Sequence, residues 1–293
     1  MRHTTIPVFA SLMLGISLAQ AAPREFSDSR PLNAEARLNV RNVAGVIEVE
    51  AWDKATLDIA ALLADNVEKV DISGSAADLR VEVRTKKAER YGAYDDTQLR
   101  LRVPAGVALT LDGTSADLIV RGLKGDLLAR TVSGDVQIEV NSRSVSAQTV
   151  SGDLTVLAPH ATNTKVSTVS GDADVQGAAG ELSAESVSGD VRIEGGVFSR
   201  LELKSVSGDV DIHGAAAPDA LVKAESLSGD VRFDAPAALS AQVTLKTFSG
   251  EKRCDFEGVS PTADGRRTVL KLGDGRGNIS LTSFSGDVSL EKR

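Results

Sequence analysis

A single cysteine in a chain of 293 residues rules out an internal disulfide framework, and Cys254 has no partner to pair with. Aromatic side chains are scarce at 3% of the chain, with one tryptophan and two tyrosines. A conventional sandwich or α/β core leans on several large rings, so the interior here has to be built from Val, Leu, Ile and Ala and is narrow and repetitive. Basic residues are outnumbered, 33 against 41 acidic ones, for a formal charge of −8, which argues against nucleic acid or an anionic membrane surface as partner. After the first twenty residues there is no apolar run long enough to span a bilayer, so no membrane insertion is expected of the mature chain. No Cys/His cluster has zinc spacing, and Gly273-Asp274-Gly275-Arg276-Gly277 lacks a dinucleotide fingerprint and reads as a turn.

The opening residues read as an export signal. Arg2 lies in a short polar start, Ile6 to Leu18 form an apolar stretch, and Ala19-Gln20-Ala21 supplies a small-x-small cleavage pattern, with the cut between Ala21 and Ala22. A signal peptide without a cystine framework suits a periplasmic, secreted or cell-surface protein.

What the sequence has in abundance is repetition. Ser-Gly-Asp recurs from Ser133, Ser151, Ser170, Ser188, Ser207, Ser228 and Ser285, with Ser249-Gly250-Glu251 as a variant and Ser115-Ala116-Asp117 as a degenerate first copy. Steps between copies are 18 to 21 residues until a gap of 36 between Ser249 and Ser285. The residue before each Ser is apolar (Val132, Val150, Val169, Val187, Val206, Leu227, Phe248, Phe284) and the one before that carries a small hydroxyl, as in Thr149 or Ser205. Apolar and polar residues alternate on both sides, for example Leu201-Glu202-Leu203-Lys204 and Val210-Asp211-Ile212. Period-two alternation around a glycine corner predicts two short strands per unit. A propeller blade needs about 40 residues and a membrane barrel strand about 9–11, so neither fits. The predicted fold is all-β: a β-solenoid of about 18–21 residues per coil, its equivalent positions stacked ~4.8 Å apart in a rod on the order of 40 Å long. Stacking puts Val150, Val169 and Val187 in one interior column and turns the hydroxyl residues inward. Ala129, Ala147, Ala184 and Ala224 suit a tapered interior.

The domain reading is a signal peptide at 1–21, an irregular N-terminal β-rich cap with the first coils at 22–105, and the Ser-Gly-Asp solenoid at 106–293 with an inserted hairpin or loop near 253–277. Trp52 is expected in the core of the cap, Arg84 to Gln98 as a polar loop carrying Tyr91 and Tyr94, and Glu291-Lys292-Arg293 as a charged guard on the far edge of the rod.

These residues resemble the bacterial putative-adhesin family of β-strand-repeat proteins, a domain of unknown function. The resemblance rests on the Val-Ser-Gly-Asp-Val units, on Asn42-Val43-Ala44-Gly45-Val46-Ile47-Glu48-Val49-Glu50-Ala51-Trp52-Asp53 and on Val103-Pro104-Ala105-Gly106-Val107. It covers nearly all of the mature chain. It implies a single-stranded parallel β-helix exported to the cell envelope, and it brings no catalytic residues.

For chemistry, the candidate is an acidic ladder: Asp117, Asp135, Asp153, Asp172, Asp190, Asp209, Asp230, Glu251 and Asp287 on one edge. Neighbouring carboxylates ~4.8 Å apart repel by about 0.9 kcal/mol in water, so the row needs compensation. Each Asp capping its own turn supplies one answer; Ca²⁺ bridging Asp135, Asp153, Asp172, Asp190, Asp209 and Asp230 supplies another. Calcium β-rolls use Gly-Gly-x-Gly-x-Asp nonapeptides, twice the density found here. The hydroxyl column is expected to bond locally, since a nucleophile needs a positioned base and the mature chain offers only His160 and His213. A polysaccharide-processing β-helix enzyme is the catalytic alternative, but near-identical corners single out no acid–base pair. The expectation is therefore a non-catalytic envelope protein, a rigid scaffold or adhesin-like module without a cofactor. Its partner is another envelope protein, a surface glycan or a second copy of itself.

Overall fold

The structure is a computed structural model that describes residues 24–86, 96–257, 259–263 and 265–293. The signal peptide, and the two tyrosines with most of the expected polar loop, lie outside the described residues. Among the described residues every regular element is a strand, and these join into one long mixed sheet folded into two facing walls.

At the N-terminal end the strands are β1 (Arg24–Pro31), β2 (Arg37–Trp52), β3 (Thr56–Leu63), β4 (Val67–Ser75), β5 (Asp78–Thr85), β6 (Thr97–Pro104) and β7 (Ala108–Arg121). β2 runs through both walls. Its alternating Leu38, Val40, Ile47 and Val49 are buried, and the bend between the two halves falls at Gly45, whose φ is 101°. A Cβ there would stand 2.2 Å from the Thr97 carbonyl oxygen, so only glycine fits. β2 pairs in parallel with β7 along both halves, and on its other side with β5 and β6. Beyond these the pairing turns antiparallel, β4 on β5 and β3 on β6 with β1 outermost. Trp52 is not a core residue: it is half-buried at the β2–β3 turn, its Nε1–H donating to the Thr56 carbonyl at 2.9 Å with the Lys54 ammonium 4.7 Å from the ring centre. A turn lets the indole satisfy its N–H without burying it.

From β7 onward the chain alternates between walls. β8 (Leu127–Arg130), β10 (Ser144–Gln148), β12 (Asn163–Ser167) and β14 (Gly180–Glu185) pair in parallel on one wall; β9 (Val136–Glu139), β11 (Leu154–Leu157) and β13 (Ala173–Gln176) do so on the other. β15 (Val191–Ser207) and β16 (Val210–Ser228) each span both walls. Strand residues thus meet their equivalents one repeat later: Ala129, Ala147, Val166, Ala184, Leu203 and Ala224 lie side by side in register. All six are completely buried. Burying a Val, Leu or Ile in this way contributes about 1.5–3 kcal/mol per side chain, and rings are dispensable. Phe198 is one of two fully buried rings among the described residues, and its room comes from glycine: a Cβ on Gly195 would stand 2.2 Å from its Cζ.

The far end of the stack departs from sequence order. β17 (Val231–Ala235) follows β16, but β18 (Ala241–Ser249) and β19 (Lys252–Cys254) do not pair with β16 and β17. The rung in between is the last of the chain. β22 (Gly277–Ser285) lies between β16 and β18, and β23 (Val288–Lys292) between β17 and β19. β20 (Val259–Ala263) and β21 (Arg267–Leu272) form an antiparallel hairpin on the outer edge of β18. β23 is thus not the last strand of its wall, but β19 covers it only as far as Leu290, and Glu291 and Lys292 pair with β17 alone. The outermost strand of the second wall is β19, only three residues long. Such a short edge offers little to a foreign strand.

Candidate interaction surface

Strand parity decides what faces out at the repeated corner. Ala147 points in, Gln148 out, Thr149 in, and so Val150 points out. Val132, Val150, Val169, Val187, Val206, Leu227, Phe284 and Phe248 follow one another in that order along the stack, each between 41% and 54% exposed. The expected column exists, but on the surface. It forms an apolar ridge of about 34 Å that widens from valine to phenylalanine, ending with the Phe248 and Phe284 rings stacked 4.8 Å apart and 1° from parallel.

The corner beside the ridge is held by each residue's link to the adjacent rung. Ser170 N–H donates to the Val150 carbonyl at 2.8 Å and Gly152 N–H to the Ser170 carbonyl at 3.0 Å. The hydroxyl column is buried and faces inward: Thr149 Oγ1 donates to the Gly134 carbonyl at 3.2 Å and Thr247 Oγ1 to that of Gly286 at 2.8 Å. Thr168, Ser186 and Ser205 are buried at the same position without a bond of their own. No hydroxyl of this column is presented to a substrate.

The acidic ladder is a chain of hydrogen bonds between rungs. The backbone N–H of Asp135 donates to Asp117 Oδ1 at 3.0 Å, and the pattern continues through Asp153 on Asp135, Asp172 on Asp153 and Asp190 on Asp172. Asp209 donates to Asp190 and Asp230 to Asp209, both at 2.8 Å. The sequence then jumps: Asp287 N–H donates to Asp230 Oδ1 and Glu251 N–H to Asp287 Oδ1, both at 2.7 Å. A bond to a charged acceptor contributes about 1.5–3 kcal/mol net, more than the repulsion of about 0.9 kcal/mol between wet neighbours. Each carboxylate thus caps the next rung rather than its own turn. Among the described residues no group of three or more His, Cys, Asp or Glu side chains is arranged to hold a metal ion.

Among the open grooves of the described residues, two bear on the question of a site. The larger, about 920 Å³, lies beside β1, β3 and β6, and most of its charges are held: Glu48 by Arg100 and Arg121, Glu50 by Arg102 and Asp28 by Arg30, while Asp58 accepts from the Ser29 hydroxyl. The smaller, about 570 Å³, lies against the aromatic end of the ridge, between Val206, Leu227, Phe248 and Phe284 and the outward side chains Lys204, Glu225, Lys246 and Arg266. Sequence reasoning missed this site, although parity counted from Ala147 would have turned the ridge outward.

The histidines do not build a catalytic group with the hydroxyl column. His160 is exposed; His213 Nδ1 lies 2.9 Å from Asp234 Oδ2, and Asp234 is also held by Arg232 at 3.0 Å. Gly273 and Gly275 occupy the turn between β21 and β22 with φ of 53° and 69°.

A family model described as Toastrack DUF4097 matches residues 36–291. No curated protein matches by sequence. Among solved structures, the chain is similar to a putative adhesin from Bacteroides fragilis, at 12% identity over 92% of this chain and 97% of that one, with a TM-score of 0.42. It is similar also to a putative lipid binding protein from Parabacteroides distasonis, at 14% identity over 92% and 96%, TM-score 0.38. A putative adhesin from Parabacteroides merdae matches at 12% identity over the same shares, TM-score 0.33.

Proposed function

The chain belongs to the Toastrack DUF4097 family, and from that premise we propose that it is a non-catalytic β-solenoid of the single-stranded parallel β-helix type, exported to the periplasm or cell surface, that works as a rigid binding scaffold. The observation that carries this reading is the unbroken apolar ridge from Val132 to Phe248. Solvent-facing apolar side chains in eight successive rungs have no role in the core, and a contiguous apolar stripe of this length is the kind of surface a partner covers. Repetition favours avidity, because many weak identical contacts along a rigid rod add without further ordering cost. The apolar character favours an envelope protein over a surface glycan. The leader-like residues 1–21 support export, and the sameness of the rungs supports a non-enzyme, since no rung singles out an acid and a base.

The test is capture of binding partners from an envelope extract by the mature protein and by a Val150→Ser/Val169→Ser variant. A protein retained by the first and lost from the second supports the reading. Equal capture by both, or none by either, overturns it.

A further inference from the structure

The groove at the aromatic end differs from the rest of the ridge in both shape and charge. At about 570 Å³ it falls within the size range of small-molecule sites, and its floor is Val206, Leu227, Phe284 and Phe248 in rung order, a path of about 14 Å. Apolar floor and polar rim are the two parts an amphiphile needs.

The rim is cationic in a chain whose formal charge is −8. The Arg266 guanidinium lies over the Phe248 ring at 4.1 Å, and Lys246, two residues before Phe248 on β18, makes no ion pair among the described residues. At the other end Lys204 is already matched, held between Glu202 at 3.5 Å and Glu185 at 3.6 Å. The one carboxylate lining the groove, Glu225, is held by Lys223 at 2.8 Å. The ammonium of Lys246, without an ion pair among the described residues, therefore marks the Phe248 end, beside stacked rings whose open edges line the groove.

We propose that this groove binds a free anionic amphiphile, a single-chain carboxylate, its apolar body along Val206, Leu227 and Phe284 and its carboxylate at Lys246. The negative net charge and the acidic ladder next to the ridge disfavour an anionic bilayer as the source, so the ligand is taken as a monomer. This deepens the reading of the ridge as a binding face and rests on it. The extract capture with Val150→Ser/Val169→Ser tests that broader reading, while the titration below tests the groove alone.

The experiment is calorimetric titration of the mature protein with dodecanoate below its micelle-forming concentration. Dodecyltrimethylammonium and vesicles of anionic phospholipid serve as comparison probes. Dodecanoate should bind at least about tenfold more tightly than the cationic probe, and the vesicles should not bind. Phe248→Ser/Phe284→Ser should abolish binding, with a small drop in melting midpoint from the lost ring stacking, and Lys246→Glu should weaken binding about tenfold with an unchanged midpoint because Lys246 faces solvent. Val150→Ser/Val169→Ser should bind like the parent. No binding of dodecanoate, equal binding of both headgroups, retention by Lys246→Glu, uptake onto vesicles, or equal loss in Val150→Ser/Val169→Ser would each overturn the assignment.

Discussion

Asp287 donates its backbone N–H to Asp230 Oδ1 at 2.7 Å across 57 residues of sequence, and its own Oδ1 receives the amide of Glu251. The last corner of the chain thus sits second from the end of the stack. Glu251 closes the ladder, and there the reason for aspartate lapses, because among the described residues no further corner amide waits for a carboxylate oxygen. The one departure from Ser-Gly-Asp among the later copies marks the terminal rung.

This order predicts how the end of the rod comes apart. Among the described residues β18 pairs only with β21 and β22, and β19 only with β23. Removing residues 277–293 therefore strands 241–275 as well as the deleted rung. Limited proteolysis of such a truncated protein should trim it back to near Ala235, whereas protection of β18 would contradict the pairing.

The ladder predicts a difference between two replacements at one position. Asp172→Asn keeps an Oδ1 to accept the Asp190 amide and removes repulsion, so urea unfolding should show little change. Asp172→Ala leaves that amide without its acceptor and should cost about 1–3 kcal/mol. Because one oxygen of each carboxylate is already committed, millimolar Ca²⁺ against chelator should leave the melting midpoint of the parent unchanged. A rise with Ca²⁺ would show that the free oxygens recruit the ion.

Glycine in the corner column is required twice over. Gly171 has φ of 139°, and a Cβ on it would lie 2.1 Å from the Gly152 carbonyl oxygen. Gly171→Ala should cost at least about 3 kcal/mol, from backbone strain and a clash with main chain that cannot swing aside. Gly265→Ala, where a Cβ meets nothing within 4 Å, should be close to neutral by the same unfolding measurement.

Cys254 supplies a pH-dependent prediction. Burial pushes its thiol above the ordinary range; a hydrogen bond with the Phe256 backbone partly opposes the shift and the Asp255 charge adds to it. The thiolate is the reactive form, so alkylation by iodoacetamide should be slower in the folded protein than in urea at about pH 8, and should accelerate only as pH climbs past the usual thiol value. For stability the sign follows: the folded state holds this proton more tightly, so its contribution is full below the unfolded pKa and falls away as pH rises through the folded one. Equal alkylation rates in folded and unfolded protein would contradict the burial.

The repeat, its corner and its inward hydroxyls were legible because they are local: the inward turn of Thr149 is set by alternation from Ala147, two residues earlier. The order of the final rungs was not, because every rung carries the same pairing surface and spacing alone cannot say which neighbour a copy takes. Apolarity also misdirects at the ridge. Val169 has the composition of a core residue and the parity of a surface one, and parity prevails because one residue of slip would turn Thr168 and Val166 outward together. Trp52 was misplaced for a similar reason: size suggested the core, while the indole N–H found its acceptor at Thr56 in a turn.

The most direct measurement is disulfide trapping along the ridge in a Cys254→Ser background. Leu227 and Phe284 occupy adjacent rungs, and Leu227 and Phe248 are two rungs apart although only 21 residues separate them in sequence. A bridge requires Cα atoms within about 7 Å, which one rung of ~4.8 Å satisfies and two do not. Mild oxidation should link the Leu227→Cys/Phe284→Cys pair and leave Leu227→Cys/Phe248→Cys reduced; the reverse result would contradict the stacking order and the outward ridge built on it.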